Sequence, residues 1–142
     1  MQTEILEFYR DDFTISTDPA RLDLAVIHDF LANQSYWVPG IAFRFVEVSI
    51  EHSLNFGLYH DGKQIGFARL LTDYVRFAYL MDVFILEEYR GKGLGKWLMD
   101  CVFNHPALQD VRRWMLATWD AHDLYARYGF EPLARPDRFM ER

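Results

Sequence analysis

The chain has 142 residues, 51% of them hydrophobic, with 15 basic against 21 acidic side chains and a formal net charge of −6. So apolar a composition excludes a disordered chain, and the acidic balance argues against nucleic acid as a partner. No apolar run approaches the roughly 20 residues that span a bilayer, which argues against a membrane partner, and the acidic start MQTEILEFYRDDF lacks a signal-peptide core. The size suits one domain, spanning 1–142, with a proper buried core. Cys101 has no second cysteine to pair with, so a reduced, cytoplasmic setting is expected.

Phe13 to Ser16 alternates like a short strand. Asp18 then precedes Pro19, the pairing of an N-cap with a proline at the first helical position. Leu22, Val26, Ile27, Phe30 and Leu31 supply the apolar stripe of the next helix, which is expected to end near Asn33. Tyr36-Trp37-Val38-Pro39-Gly40 breaks that pattern as a loop. Ala42 to Ser53 carries both helical spacing and β-branched residues, and the flanking Pro39-Gly40 favours a helix. Asn55–His60 and Lys63–Thr72 are strand-like and flank Asp61-Gly62, a type I′ hairpin signal. Tyr74 to Leu86 is predicted as a third long strand.

That strand runs into Arg90-Gly91-Lys92-Gly93-Leu94-Gly95-Lys96. Leu94, Trp97, Leu98, Cys101 and Val102 then recur with a period of about 3.6 residues, so a helix starts within the glycine run. His105-Pro106 marks its exit, Arg113 to Thr118 is a further strand, and Ala121 to Tyr128 a short helix stopped by Gly129. Phe130 onward is predicted as a last extended segment. The order is that of an α+β fold around a mixed sheet.

A glycine-rich, basic strand-to-helix turn presents open backbone N–H groups to a phosphate. The Walker pattern GxxxxGK[ST] does not fit, because three residues separate Gly91 from Gly95 and Trp97 follows Lys96. The dinucleotide fingerprint belongs to the first strand and helix of a fold, whereas this loop comes late. The segment instead closely resembles the pyrophosphate loop of the GNAT superfamily of N-acetyltransferases. That signature is Arg or Gln, two residues, Gly, one residue, then Gly or Ala, met here from Arg90 to Gly95. A second family-like element lies downstream, Leu124-Tyr125-Ala126-Arg127-Tyr128-Gly129-Phe130, and the likeness runs from about Thr14 to Leu133.

The resemblance implies a mostly antiparallel, splayed sheet flanked by helices, and acetyl-coenzyme A as cosubstrate. Its pyrophosphate is expected on the Arg90 to Lys96 loop (Arg90, Gly91, Lys92, Gly93, Leu94, Gly95 and Lys96), with the pantetheine arm along the backbone of Val83, Phe84 and Ile85. It implies acetyl transfer to a small-molecule or peptide amine, with Tyr125 as general acid toward the departing thiolate. Tyr128 is assigned to the core. Asp82 is the candidate base or acceptor-binding acid, since a carboxylate within so apolar a strand needs a reason. Strand alternation sets Leu80, Asp82 and Phe84 on one face and Met81, Val83 and Ile85 on the other. Tyr36, Trp37 and His122 are candidate acceptor-binding residues. Asp120 is expected to cap the helix that carries Tyr125. No histidine or cysteine spacing points to a metal. Homodimers are frequent in the family, though no motif marks an interface. A non-catalytic domain that binds or senses acyl-coenzyme A is the alternative, in which the loop persists without the chemistry.

Overall fold

The computed structural model describes residues 3–142; Met1 and Gln2, at the head of the acidic N-terminal segment, lie outside the described residues. Its six strands lie in sequence order in a single sheet: β1 (Glu7–Arg10), β2 (Phe13–Ser16), β3 (Leu54–His60), β4 (Lys63–Thr72), β5 (Ala78–Ile85) and β6 (Trp114–Leu116). Every pairing is antiparallel except β5 with β6, which run parallel. A parallel neighbour requires a crossover. Helix α3 (Leu94–Phe103) provides it, while α1 (Leu24–Asn33) and α2 (Phe43–Glu51) separate β2 from β3, and α4 (His122–Ala126) comes after β6.

Two cores form, one on each face of the sheet. On one, Leu94, Leu98, Met99, Cys101 and Val102 of α3 pack against Phe56, Leu58, Ile65, Leu70 and Leu80. On the other, Ile27, Phe30 and Leu31 of α1 and Val46 and Ile50 of α2 cover Phe67 and Phe84. Covered on both sides, β3 and β4 are buried along nearly their whole length. Cys101 is buried in the first core, and burial pushes its thiol up to about 12, which suits a small core hydrophobe.

The hairpin after β3 turns at Asp61 and Gly62 with φ of 50° and 80°, the two positive values a type I′ turn needs. Elsewhere local chemistry departs from the sequence expectation. The first helix is split: Asp18 caps only a short 3₁₀ turn, Pro19–Arg21, and Leu22 is extended. Asp23 then starts α1 by accepting from the amides of Ala25 and Val26. The strand predicted from Tyr74 begins at Ala78 instead, because Asp73 Oδ1 accepts from the amides of Val75, Arg76 and Phe77 and folds that segment into a turn. The segment after Phe130 forms no strand among the described residues, only a 3₁₀ turn at Pro136–Arg138. A hairpin that the sequence does not signal strongly, β1 with β2, extends the sheet through a turn where Asp11 takes φ 53°.

Alternation along β5 is also broken. Register pairs Arg69 with Met81 and Phe67 with Phe84, so Ala68 stands opposite both Asp82 and Val83 in a β-bulge. Asp82 adopts φ 54° at that point. The extra residue reverses the facing of the strand beyond it. Leu80 belongs to the α3-side core and Phe84 to the α1/α2-side core, so the expectation that both share a face with Asp82 fails. Phe84 stacks on Phe30 with ring centroids 4.1 Å apart and anchors α1 to the bulged strand. Truncation to Phe84→Ala is expected to cost about 3–5 kcal/mol in chemical denaturation; a loss within experimental error would show that this stack does not anchor the helix.

Candidate active site

Parallel pairing between β5 and β6 covers only Ala78 with Trp114, Tyr79 with Met115 and Leu80 with Leu116. Beyond Leu80 the two strands part, and the β5 edge from Met81 to Ile85 no longer pairs with β6. A cleft of about 1210 Å³ opens there. Its walls are Met81 to Ile85 on one side, Leu116 to Ala121 with Leu124 and Tyr125 on another, and Tyr36, Trp37 and Phe45 above. Arg90 and Gly95 line its far end.

The glycine loop enters α3 through Gly93, which stands at the N-cap in the left-handed region with φ 78°. No side chain caps that end. The amides of Leu94, Gly95 and Lys96 therefore have no intrahelical acceptor. Gly91 shares the φ of 78°, and a Cβ at either glycine would meet no atom within 4 Å. Backbone conformation, rather than crowding within the protein, requires glycine at both. Arg90 Nε donates to the Ile85 carbonyl at 2.9 Å, tying the loop to the end of β5. Leu94 offers only its backbone, since its side chain is buried in the α3-side core. Lys92 is exposed, and Lys96 is exposed with its ammonium 3.5 Å from Asp100.

Asp82 is engaged through both of its carboxylate oxygens. Arg69 Nε donates to one carboxylate oxygen at 2.8 Å and Trp37 Nε1 to the other at 2.9 Å. Both charged side chains are nearly buried, 10% and 9% exposed. Arg69 also donates to Ser53 Oγ at 3.0 Å and contacts Met81 Sδ at 3.2 Å, so each nitrogen of its guanidinium has a partner. Sequence reasoning missed Arg69, whose only signal was a lone cation at the centre of an apolar strand.

The loop between α1 and α2 is held from several sides. Ser35 Oγ donates to the Leu31 carbonyl at 2.6 Å, His28 Nε2 lies 2.9 Å from the Ile41 carbonyl, and the Gly40 amide donates to the Ala32 carbonyl. Tyr36 and Trp37 are thereby fixed over the cleft, and the Trp119 amide donates to Tyr36 Oη at 2.9 Å. Tyr125 lies opposite, 8% exposed. Burial, followed by the neighbouring Tyr36 and Asp120, pushes its phenol up to about 12. Among the described residues its hydroxyl has no hydrogen-bond partner. Tyr128 is turned away instead, donating to Asp100 Oδ1 at 2.6 Å and pinning the end of α4 to α3.

Two expectations fail here. Asp120 does not cap α4: Ala121 occupies the N-cap, its amide bound by Thr118 Oγ1, which leaves Asp120 exposed on the cleft wall. His122, the first residue of α4, is exposed and not among the residues lining the cleft. The helix starts later than the Asp120–Asp123 spacing suggests, and this rotates His122 out. One cluster escaped the spacing argument on metals. Asp12, His60 and Asp61 bring ligand atoms within 4.8 Å of one another, but His60 is already bridged between Asp12 and Tyr89.

A family model for the acetyltransferase (GNAT) domain matches residues 51–132, which include the bulged strand, the glycine loop and α4. The chain belongs to the GNAT acetyltransferase family. A crystal structure of a GNAT-family protein from Xanthomonas campestris pv. campestris shares 51% identity, with a TM-score of 0.90 and 92% of each chain covered. A Gibberella zeae protein named as an acetyltransferase is 32% identical over 140 residues, covering 83% of this chain and 78% of its own length. The spermine/spermidine N(1)-acetyltransferase of Bacillus subtilis is 36% identical over 87 residues, covering 53% of this chain and 57% of that one. The α+β fold expected from the motif is that of the family.

The enclosed ion pair yields a direct check. Arg69→Met leaves the Asp82 carboxylate buried against one remaining donor and is expected to destabilise the fold by about 3–5 kcal/mol. Adding Asp82→Asn should recover part of that loss, giving a coupling of about 1–3 kcal/mol in a double-mutant cycle. Strictly additive costs would show that the two side chains do not support one another.

Proposed function

We propose that this chain is an N-acetyltransferase, a single domain over residues 1–142, that moves an acetyl group from acetyl-coenzyme A to an amine by direct attack in a ternary complex. One observation carries the reading. An unpaired strand edge, uncapped helix amides and a phenol with a free hydroxyl converge on one cleft. The residues present fit such a donor. The open amides from Gly91 to Lys96 suit a diphosphate, with no Cβ at Gly91 or Gly93 to obstruct it. The free edge at Val83, Phe84 and Ile85 suits an amide-bearing arm that docks like an added strand. The thioester supplies an activated acyl carbon, and the protein's task is to orient the amine against it.

In this mechanism a backbone N–H beside the bulge, that of Val83 or Phe84, stabilises charge building on the carbonyl oxygen. Tyr125 provides the proton that the departing sulfur requires. A phenol raised to about 12 enters every turnover protonated. An ordinary thiol titrates near 8.5, but desolvation in the same cleft raises any acid whose charged form is the anion, sulfur included. The gap between donor and acceptor narrows accordingly. Asp82, with both oxygens already accepting hydrogen bonds, acts as a positioning residue that fixes the bulge and Trp37. The ammonium sheds one proton to solvent in the open cleft before it attacks, and the second proton, lost from nitrogen as the amide forms, returns through solvent to the Tyr125 phenolate. Tyr128, Lys92 and Lys96 take no chemical step, the lysines adding positive potential at the loop. The lone cysteine suits a reducing, cytoplasmic compartment.

A non-catalytic sensor of acyl-coenzyme A would have no use for a phenol with an unengaged hydroxyl in the cleft, which favours the enzyme. Thiol release measured across an amine panel tests this. Tyr125→Phe is expected to lower kcat about a hundredfold with KM for acetyl-coenzyme A unchanged, and the native enzyme should show no basic limb at pH 10.0, the ordinary phenol value. Full activity in Tyr125→Phe would overturn the general-acid role, and saturable coenzyme A binding without thiol release for any amine would favour the sensor.

A further inference from the structure

The acceptor end of the cleft differs sharply in chemistry from the loop end. Tyr36, Trp37, Phe45 and Trp119 surround it, and they remain 46%, 40%, 53% and 71% exposed. Isolated exposed aromatics need no explanation, but four around one opening form a patch that does. They are not loosely placed. Tyr36 packs edge-on against Trp119 at 4.6 Å and against Trp37 at 5.0 Å, while Trp37 is fixed through its indole N–H to Asp82. Rigid rings lose little conformational freedom when a ligand packs on them.

Charge at the site is equally selective. The charged residues lining the cleft are Arg69, Asp82, Arg90 and Asp120. Arg69 and Asp82 neutralise one another, and Arg90 is tied to the Ile85 carbonyl at the loop end. Asp120 alone has no hydrogen-bond or ion-pair partner among the described residues, and it stands beside Trp119 on the wall that leads to Tyr125. Its charge also contributes to raising the Tyr125 phenol, so it lies within electrostatic reach of the reacting centre. The acceptor end therefore offers one unpaired negative charge and an aromatic enclosure, with no unpaired cation on the cleft lining itself; the Arg44 guanidinium lies outside that lining, stacked over the Phe45 ring at 4.6 Å.

We infer that the acceptor is a primary amine with one positive charge on an aromatic or bulky apolar body, its ring among Tyr36, Trp37, Phe45 and Trp119 and its ammonium held first by Asp120. This rests on the N-acetyltransferase reading above and narrows it. A polyamine carries additional charges that would find no further unpaired carboxylate in the cleft. A free amino acid brings a carboxylate that meets no unpaired cation on the cleft lining and would set it against Asp120. An arylalkylamine avoids both penalties, and the rings add stacking and cation–π attraction.

The test compares phenethylamine, tryptamine, phenylalanine and spermidine as acceptors for the full-length protein at saturating acetyl-coenzyme A. Phenethylamine and tryptamine are expected to exceed phenylalanine and spermidine in kcat/KM by about tenfold or more. Asp120→Asn should raise KM for phenethylamine about tenfold and Trp119→Ala about fivefold, each with unchanged affinity for coenzyme A and unchanged melting temperature. Both positions are exposed, so neither variant should disturb folding. Preference for spermidine or phenylalanine, or an Asp120→Asn enzyme with native KM for phenethylamine, would overturn this inference while leaving the N-acetyltransferase reading intact. Saturable binding of acetyl-coenzyme A with no thiol release for any of the four amines overturns this inference, and the same outcome across the wider amine panel overturns the N-acetyltransferase reading as well.

Discussion

Within the sheet, one carboxylate settles where regular pairing stops. Asp82 occupies a strained backbone position, φ 54°, in the middle of a strand, and it is held there by Arg69 from the neighbouring strand and Trp37 from the loop between α1 and α2. A non-glycine residue in the left-handed region costs about 1–2 kcal/mol, and it persists because surrounding bonds over-determine it. The bulge turns β5 so that its final residues leave β6, and a strand edge that would otherwise be buried becomes the floor of the cleft. The same carboxylate holds an aromatic residue of the opposite wall. Floor and roof of the cleft are thus fixed by one ion pair.

Around that frame the cleft is electrostatically divided. At the far end, α3 begins without a capping side chain, so partial positive charge and open amides face outward. At the near end lie Asp120 and the aromatic enclosure. Tyr125 stands at the wall common to both, kept neutral by burial. On the proposed reading, this polarity suits an anionic donor at one end and a cationic acceptor at the other.

Much of this was legible in the residues, for identifiable reasons. The hairpin at Asp61-Gly62, the glycine run from Arg90, and the apolar stripe of α3 each rest on local chemistry that few alternative conformations satisfy. Failures arose where a local signal had a local competitor. Asp18 and Asp23 both suit a cap, and the second prevailed for α1. Asp73 bound three amides and shortened β5 from its start, which strand propensity alone does not anticipate. Thr118, rather than Asp120, bound the amide ahead of α4. The bulge was invisible because a period of two has no mark for an inserted residue, and it reversed the facing of Phe84. Arg69 was missed because its partner lies on another strand, and pairing across a sheet is not written in spacing along the chain.

If the cleft works in this way, the unpaired β5 edge and the first amides of α3 together grip coenzyme A. Amide hydrogen exchange, measured residue by residue with and without saturating coenzyme A, addresses that grip directly. Protection is expected to rise at Val83 to Ile85 and at Leu94 to Lys96, with β1 and β2 unchanged. Exchange at both segments that stays the same while coenzyme A is demonstrably bound would mean that neither of them holds the donor.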